Sequence, residues 1–303
     1  MGRIGDYVSL AKPRITALVA FTTASGLWLA PIRPSPAIIV LTLLGTILAV
    51  ASANVLNMYL ERETDALMSR TACRPLPARR MDPRFALGFG LVLSAASLPL
   101  LSLAVGLLPG LLAAIALVCY VLLYTPMKRR SPASLLVGAV AGALPPLIGW
   151  TAATGTFDLP GLLLFAVLFL WQVPHFLAIA LFRRDDYARA GLLVLPNERG
   201  GDRRARRNIV SYTVALVSVS FLFVPLGVAH NLYLVTALCA GALFLAYGLN
   251  GLRASCGRRW ARNEFALSVA YLTVLLGALA IDRPRETAGS KERTEARADV
   301  TSP

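Results

Sequence analysis

Apolar residues in this chain come in long unbroken runs, not in the alternation of a half-buried strand or the narrow stripe of a surface helix. A hydrocarbon core of about 30 Å takes about 20 helical residues. Nine runs reach about that length, near residues 15–33, 37–59, 86–106, 107–126, 134–153, 158–182, 208–228, 231–252 and 263–281. The pattern predicts an all-α integral membrane protein, a bundle of nine transmembrane helices. The third and fourth runs meet around Leu108, Pro109 and Gly110, and the seventh and eighth around His230, at short joints without Lys or Arg. Residues 1–282 are therefore expected to form one transmembrane domain, and the polar residues 283–303 a disordered tail. The 14-residue lead before the first run contains Asp6, which predicts a retained helix and not a cleaved signal.

Composition agrees. Of 303 residues 56% are hydrophobic and 15% charged, with a mean hydropathy of +0.64. Soluble domains average about 45–50% and about 25%, so a water-soluble enzyme and a disordered chain are both excluded. The net charge of +14 would suit nucleic acid, but its distribution argues otherwise. With the N-terminus and every second loop placed on one side, 24 of the 30 Lys and Arg residues lie there and 6 on the other. Positive residues stay inside, so the N-terminus and large loops are read as cytoplasmic and the C-terminus as external. The charge is a topology signal, and no nucleic-acid partner is expected. Four cysteines without paired spacing suggest neither a disulfide framework nor a metal site.

Only 16 residues are acidic, which makes their grouping informative. The second run continues into Asn57, Glu61 and Asp65, four residues apart. On a helix they share one face over about 12 Å of axis. Like charges at that spacing repel unless a cation sits among them. Magnesium suits such a site, since it takes oxygen ligands and bridges carboxylates to substrate phosphates. A solvated helix end, its acids paired with Arg62 and Arg70, is the alternative. Arg70 and Arg74 follow in Arg70-Thr-Ala-Cys-Arg74-Pro-Leu-Pro77, with planar donors suited to phosphate oxygens. A second cluster, Arg183-Arg184-Asp185-Asp186-Tyr187, closes the sixth run on the same side. Two such helix ends would hold a metal–diphosphate between them.

The run Asn57-x3-Glu61-x3-Asp65, followed by Met68-x-Arg70-Thr71-x2-Arg74-Pro75-Leu76-Pro77, resembles the UbiA-type intramembrane prenyltransferases. Within them it is similar to the haem-farnesylating branch. The likeness extends through Lys12-Pro-Arg14-Ile, Tyr124-Thr-Pro-Met-Lys128-Arg129-Arg130 and Gly142-Ala-Leu-Pro145-Pro146-Leu-Ile-Gly149-Trp150. It continues in Trp171-Gln-Val-Pro174-His175-Phe176 and Asp186-Tyr187-x2-Ala190-Gly191. The resemblance implies transfer of the farnesyl group of farnesyl diphosphate to the 2-vinyl group of haem B, with addition of water, giving haem O and diphosphate. It implies a place in haem O and haem A synthesis for terminal oxidases, a bacterial inner membrane, and a downstream haem-modifying membrane enzyme as a partner. Haem B is then substrate, not cofactor. Asn57, Glu61, Asp65 and Asp186 would hold Mg2+, and Arg70, Arg74, Lys128 and Lys12 would bind the diphosphate.

The chain departs from the family pattern at three places. Glu61 stands where aspartate is usual, reaching one methylene further. Leu193 stands where the loop after Gly191 usually has proline, an exchange expected to loosen that loop. Asp185 and Asp186 are adjacent, not four apart, and only Asp186 carries over. His175 is the intramembrane histidine and a haem-contact candidate, as iron ligand or propionate partner; a packed polar residue bonded to a helix carbonyl is the alternative. Pro145-Pro146 is expected to break the fifth helix. Three other functions share parts of the pattern. A transporter would carry charges near the midplane, whereas these acids crowd one face. A prenyltransferase for quinone precursors or chlorophyll-like rings differs in its acceptor pocket. A non-enzymatic haem- or prenyl-lipid-binding protein would dispense with the metal.

Overall fold

The computed structural model describes residues 4–253 and 256–282; the tail expected beyond residue 282 lies outside them. A short helix α1 (Ile4–Leu10) precedes α2 (Pro13–Leu29) and the long α3 (Pro36–Ala66). Helix α4 (Pro83–Pro99) continues through π-helical turns to Val105, and α5 (Leu107–Val118) runs through a π-helical turn, Cys119–Tyr124, into the single turn α6 (Thr125–Met127). Then come α7 (Ser134–Thr154), α8 (Leu159–Phe182), the short α9 (Arg184–Arg189), α10 (Gly201–Ser220), α11 (Asn231–Asn250) and α12 (Arg258–Ile281). No strand occurs among the described residues.

All nine apolar runs lie on helices, and seven of these helices are long and apolar enough to cross a bilayer. The other two are α2, with 17 residues, and α10, whose first two turns carry Arg203, Arg204, Arg206 and Arg207. The starts follow from local chemistry. Proline, which has no N–H to leave unpaired, opens α2, α3 and α4, and the side chains of Ser35, Asp82 and Asp158 accept from the first free N–H groups of α3, α4 and α8. Large side chains such as Leu103, Leu122 and Val235 face outward, as lipid-facing positions do.

Two expectations need correction. The third and fourth runs join at Gly106, not at Leu108–Gly110: the last π-helical turn closes with the Gly106 N–H on the Leu101 carbonyl, and α5 starts at Leu107. Nor do Pro145 and Pro146 break their helix; α7 runs unbroken through both. The two prolines leave the Ala141 and Gly142 carbonyls without helical donors, but the neighbouring helices brace α7 there. Its backbone touches that of α2: a Cβ on Gly26 would lie 1.9 Å from the Pro146 oxygen, and one on Gly149 2.0 Å from the Thr23 oxygen. Gly142 in turn lies against the Gln172 side chain of α8. Glycine is required at these crossings.

Helix α3 positions the site. Its 31 residues span about 46 Å, longer than the hydrocarbon core, so its last turns project past the membrane. Residues 67–82 fold back over that end. Leu76 and Met81 are buried with Leu10, Val55 and Met58, and an Arg80 Nε–Asp6 Oδ1 contact of 3.1 Å ties the loop to α1.

Candidate active site at the C-terminal end of α3

Asn57, Glu61 and Asp65 lie on one face of α3, all buried, at 2%, 8% and 1% exposure. Each is held by a different cation from a different segment. Lys12, in the joint between α1 and α2, donates from Nζ to Asn57 Oδ1 at 3.0 Å. Lys128, just after α6, places Nζ 2.8 Å from Glu61 Oε1. Arg74, in the folded loop, donates from Nη1 to Asp65 Oδ2 at 2.6 Å. The repulsion expected along this face is thus offset residue by residue. This end is buried rather than solvated, and Arg62 stacks on Tyr59 and pairs with the exposed Glu63, not with the triad.

The supporting contacts explain how three distant segments converge. Thr71 donates its hydroxyl to the Asp65 carbonyl at 2.7 Å, turning the chain so that Arg74 comes back over α3. Arg129 donates to Thr64, the neighbour of Asp65. The Lys128 ammonium lies 4.3 Å from the centre of the Tyr124 ring. Lys12 adopts a left-handed backbone, φ 48°, to reach inward. Burial, helped by Arg74 and Lys128, pushes its ammonium down to about 7 against the pull of Glu61 and Asp65. Burial also disfavours the charge on Lys128, but Tyr124 and Glu61 outweigh it and hold its pKa above the ordinary value.

Other residues singled out from the sequence lie elsewhere. Arg70 is exposed, in the loop that carries Arg74. Asp186 pairs with Arg183 at 3.5 Å and with Arg189, both within its own segment, while Asp185 pairs with Arg258. The segment itself packs beside the α3 end, since Met68 is buried with Ala190 and Leu192 against Tyr187. In the loop after Gly191 the Leu193 N–H donates to the Lys128 carbonyl at 2.8 Å, a bond that proline could not make. His175, on α8, faces α12, its ring tilted against those of Trp171 and Phe265 and its Nδ1 2.8 Å from Ser268 Oγ. Thr64 was not singled out from the sequence, and Thr71, Tyr124 and Thr125 entered only as members of the family motifs, without a role. Threonine beside a charged motif carries no signal until the fold shows what it faces.

Among the described residues no three His, Cys, Asp or Glu side chains gather as a metal cage. The donor set nonetheless fits Mg2+, an oxygen-preferring ion that needs only one or two carboxylates when substrate phosphate and water complete its shell. Two buried carboxylates and an amide oxygen, each already facing a cation, meet that requirement.

The sequence matches the UbiA prenyltransferase family over residues 19–279, and the chain belongs to that family, the multi-pass membrane prenyltransferases. Its relatives narrow this further. It is 58% identical over 246 residues, 81% of this chain and 88% of the relative, to a protoheme IX farnesyltransferase of Sorangium cellulosum. It is 49% identical over 282 residues, 93% of this chain and 96% of the relative, to one of Myxococcus xanthus. The fold is similar to that of a digeranylgeranylglyceryl phosphate synthase, with a TM-score of 0.80 at 18% identity, covering 92% of this chain and 98% of that one. It is also similar to that of a UbiA homologue of Archaeoglobus fulgidus bound to GPP and Mg2+, with a TM-score of 0.63 at 17% identity over 91% and 99% of the two chains.

Proposed function

We propose that this protein transfers the farnesyl group of farnesyl diphosphate to the 2-vinyl group of haem B, with addition of water, giving haem O and diphosphate. The observation that carries the reading is the one-to-one pairing of Asn57, Glu61 and Asp65 with Lys12, Lys128 and Arg74. Lys128 and Arg74 balance the two carboxylates, and Lys12, its ammonium pushed down to about 7, adds part of a further positive charge to a mostly buried cluster whose partners a diphosphate can take over. The identity of the acceptor rests on relatives named protoheme IX farnesyltransferase.

Glu61 and Asp65, with the Asn57 oxygen, would hold Mg2+, and Asp186 of α9 would join them only by leaving its pairing with Arg183 and Arg189. When bound, the ion neutralises the diphosphate and supplies Lewis-acid polarisation of its oxygens. The chain's own cations do the rest. Lys12, Lys128 and Arg74 turn from the α3 face to the diphosphate, with Arg70 at the rim. The bond between farnesyl C1 and the diphosphate oxygen breaks, its electron pair leaving with the diphosphate, and these fixed charges stabilise what develops there. The vinyl group attacks the allylic cation. Water then adds to the new carbocation and releases a proton. The apolar bundle keeps water away until the carbon–carbon bond has formed. His175 contacts the haem. The protein lies in a bacterial inner membrane as a single domain over residues 1–282, N-terminus and site loops inside, and its product passes to a haem-modifying membrane enzyme.

The test is incubation of the purified protein with haem B, farnesyl diphosphate and Mg2+, read by the mass of the haem product. The expected result is a farnesylated, hydrated haem that disappears with Asp65→Asn. No product, or undiminished product from that variant, would sink the reading. Prenylation of a quinone precursor instead would reassign the acceptor.

A further inference from the structure

Asn57 is the one member of the α3 triad without a charge, so its usefulness to a cation depends on which way its amide faces. An asparagine can present either oxygen or NH2 to a given neighbour, and only the hydrogen-bond network decides. Asn57 lies 2% exposed between two partners, Lys12 Nζ on one side and Thr125 Oγ1 on the other, each at 3.0 Å. Lys12 Nζ donates to the amide oxygen, and in its charged form it can do nothing else. The other side depends on where the single hydroxyl proton of Thr125 goes. It goes to the Tyr120 carbonyl, 2.8 Å away. Thr125 can therefore only accept from Asn57, and the atom facing it must be the NH2 group.

That proton is committed by the shape of the helix. Residues Cys119–Tyr124 form a π-helical turn, in which the Thr125 N–H bonds to the Tyr120 carbonyl five residues back. The hydroxyl and the N–H of Thr125 converge on one carbonyl, using both its lone pairs. Such turns are uncommon and frequently mark functional sites. Here the turn carries Thr125 to the buried face of α3, 68 residues away in sequence.

We propose that Thr125 is a positioning residue. By accepting from Asn57 with its own proton held on the Tyr120 carbonyl, it locks the amide so that Oδ1 faces the cation position that Lys12 fills in the free protein. The proposal rests on the reading of the α3 face as a Mg2+–diphosphate site. It assigns the uncharged member of that site a fixed polarity, imposed from α6.

The probe is inorganic diphosphate with Mg2+, titrated calorimetrically into the full chain in detergent, so that binding is read without turnover. Thr125→Val keeps the shape but removes the acceptor. It is expected to weaken binding about tenfold or more, the usual cost of losing a group that orients a metal ligand. Thr125→Ser, which can make both bonds, is expected to bind within about twofold of the original chain. Thr125→Cys, a poor acceptor, serves if the valine variant does not fold, and it is expected to fall with it. In an Asn57→Ala background Thr125→Val is expected to change nothing further, because the effect acts only through the amide. Full binding by the valine or cysteine variant overturns the proposal. So does an equal additional loss in the Asn57→Ala background. If the unaltered chain binds no Mg2+–diphosphate, the reading of the site fails first, and that outcome is distinct from either.

Discussion

At the scale of single residues, the site consists of carboxylates already neutralised by the groups that would bind substrate. Removing one partner therefore leaves a buried charge alone, which costs more than the pair contributes. Lys128→Met strands Glu61 in this way. It is expected to lower kcat/KM for farnesyl diphosphate by about two orders of magnitude, the scale of losing one preorganised charge stabiliser. Lys128→Arg is not expected to rescue it fully, because a planar fork does not replace a point charge lying over the Tyr124 ring. Glu61 departs from the aspartate of the family pattern, and its extra methylene brings it within 2.8 Å of Lys128. Glu61→Asp keeps the carboxylate and is expected to retain activity within about tenfold, whereas Glu61→Gln loses about a hundredfold. Steady-state kinetics of the two variants side by side checks this, and a large gain in Glu61→Asp would mean that glutamate impairs the site. Much of this was legible beforehand, because acids four apart must share a helix face and must find cations. Which cation serves which acid was not. Arg70 and Arg74 are equivalent in sequence, yet only Arg74 is brought back over α3, by the hydroxyl of Thr71.

At the scale of elements, the long apolar runs located the helices, and capping residues fixed several of their starts. What the runs could not show is how helices brace one another. Proline-containing α7 stays continuous because α2 lies directly against it at Gly26 and Gly149. A side chain on Gly26 would run into the Pro146 carbonyl, whose backbone cannot move aside as a flexible side chain would. Gly26→Val is expected to cost at least about 1–3 kcal/mol, the range for overpacking. A lowered temperature of thermal aggregation in detergent would report it, and unchanged stability would refute the close contact. The end of α12 gives a second case. Asp282 accepts from the His230 and Tyr233 N–H groups, each at 2.8 Å, and so caps α11 from 49 or more residues away in sequence. No local pattern announces such a cap, since His230, at the N-cap position, offers no side-chain bond of its own. Asp282→Ala is expected to cost about 0.5–2 kcal/mol by the same thermal measurement, as loss of a helix cap does.

At the scale of the whole molecule, charge and site coincide. The lead with Lys12, the loop with Arg74, the turn with Lys128 and the segment with Asp186 all belong to the side on which 24 of the 30 basic residues lie. The side that carries most of the positive charge thus also gathers cations at the mouth where an anionic headgroup would arrive. If the positive side is cytoplasmic, the site opens inward, toward a soluble supply of diphosphate substrate. Cys73 gives a direct check, being exposed in the loop that carries Arg74. With Cys119, Cys239 and Cys256 replaced by alanine, an impermeant maleimide is expected to leave Cys73 unlabelled in intact spheroplasts and to label it once they are permeabilised. Thr156, exposed in the joint between α7 and α8 on the opposite side, supplies the complement. In a Thr156→Cys variant that also lacks Cys73, labelling is expected in intact spheroplasts. Reversed labelling would place the α3 site outside, where it would face away from cytoplasmic farnesyl diphosphate, and the charge argument would fail together with the proposed direction of substrate entry.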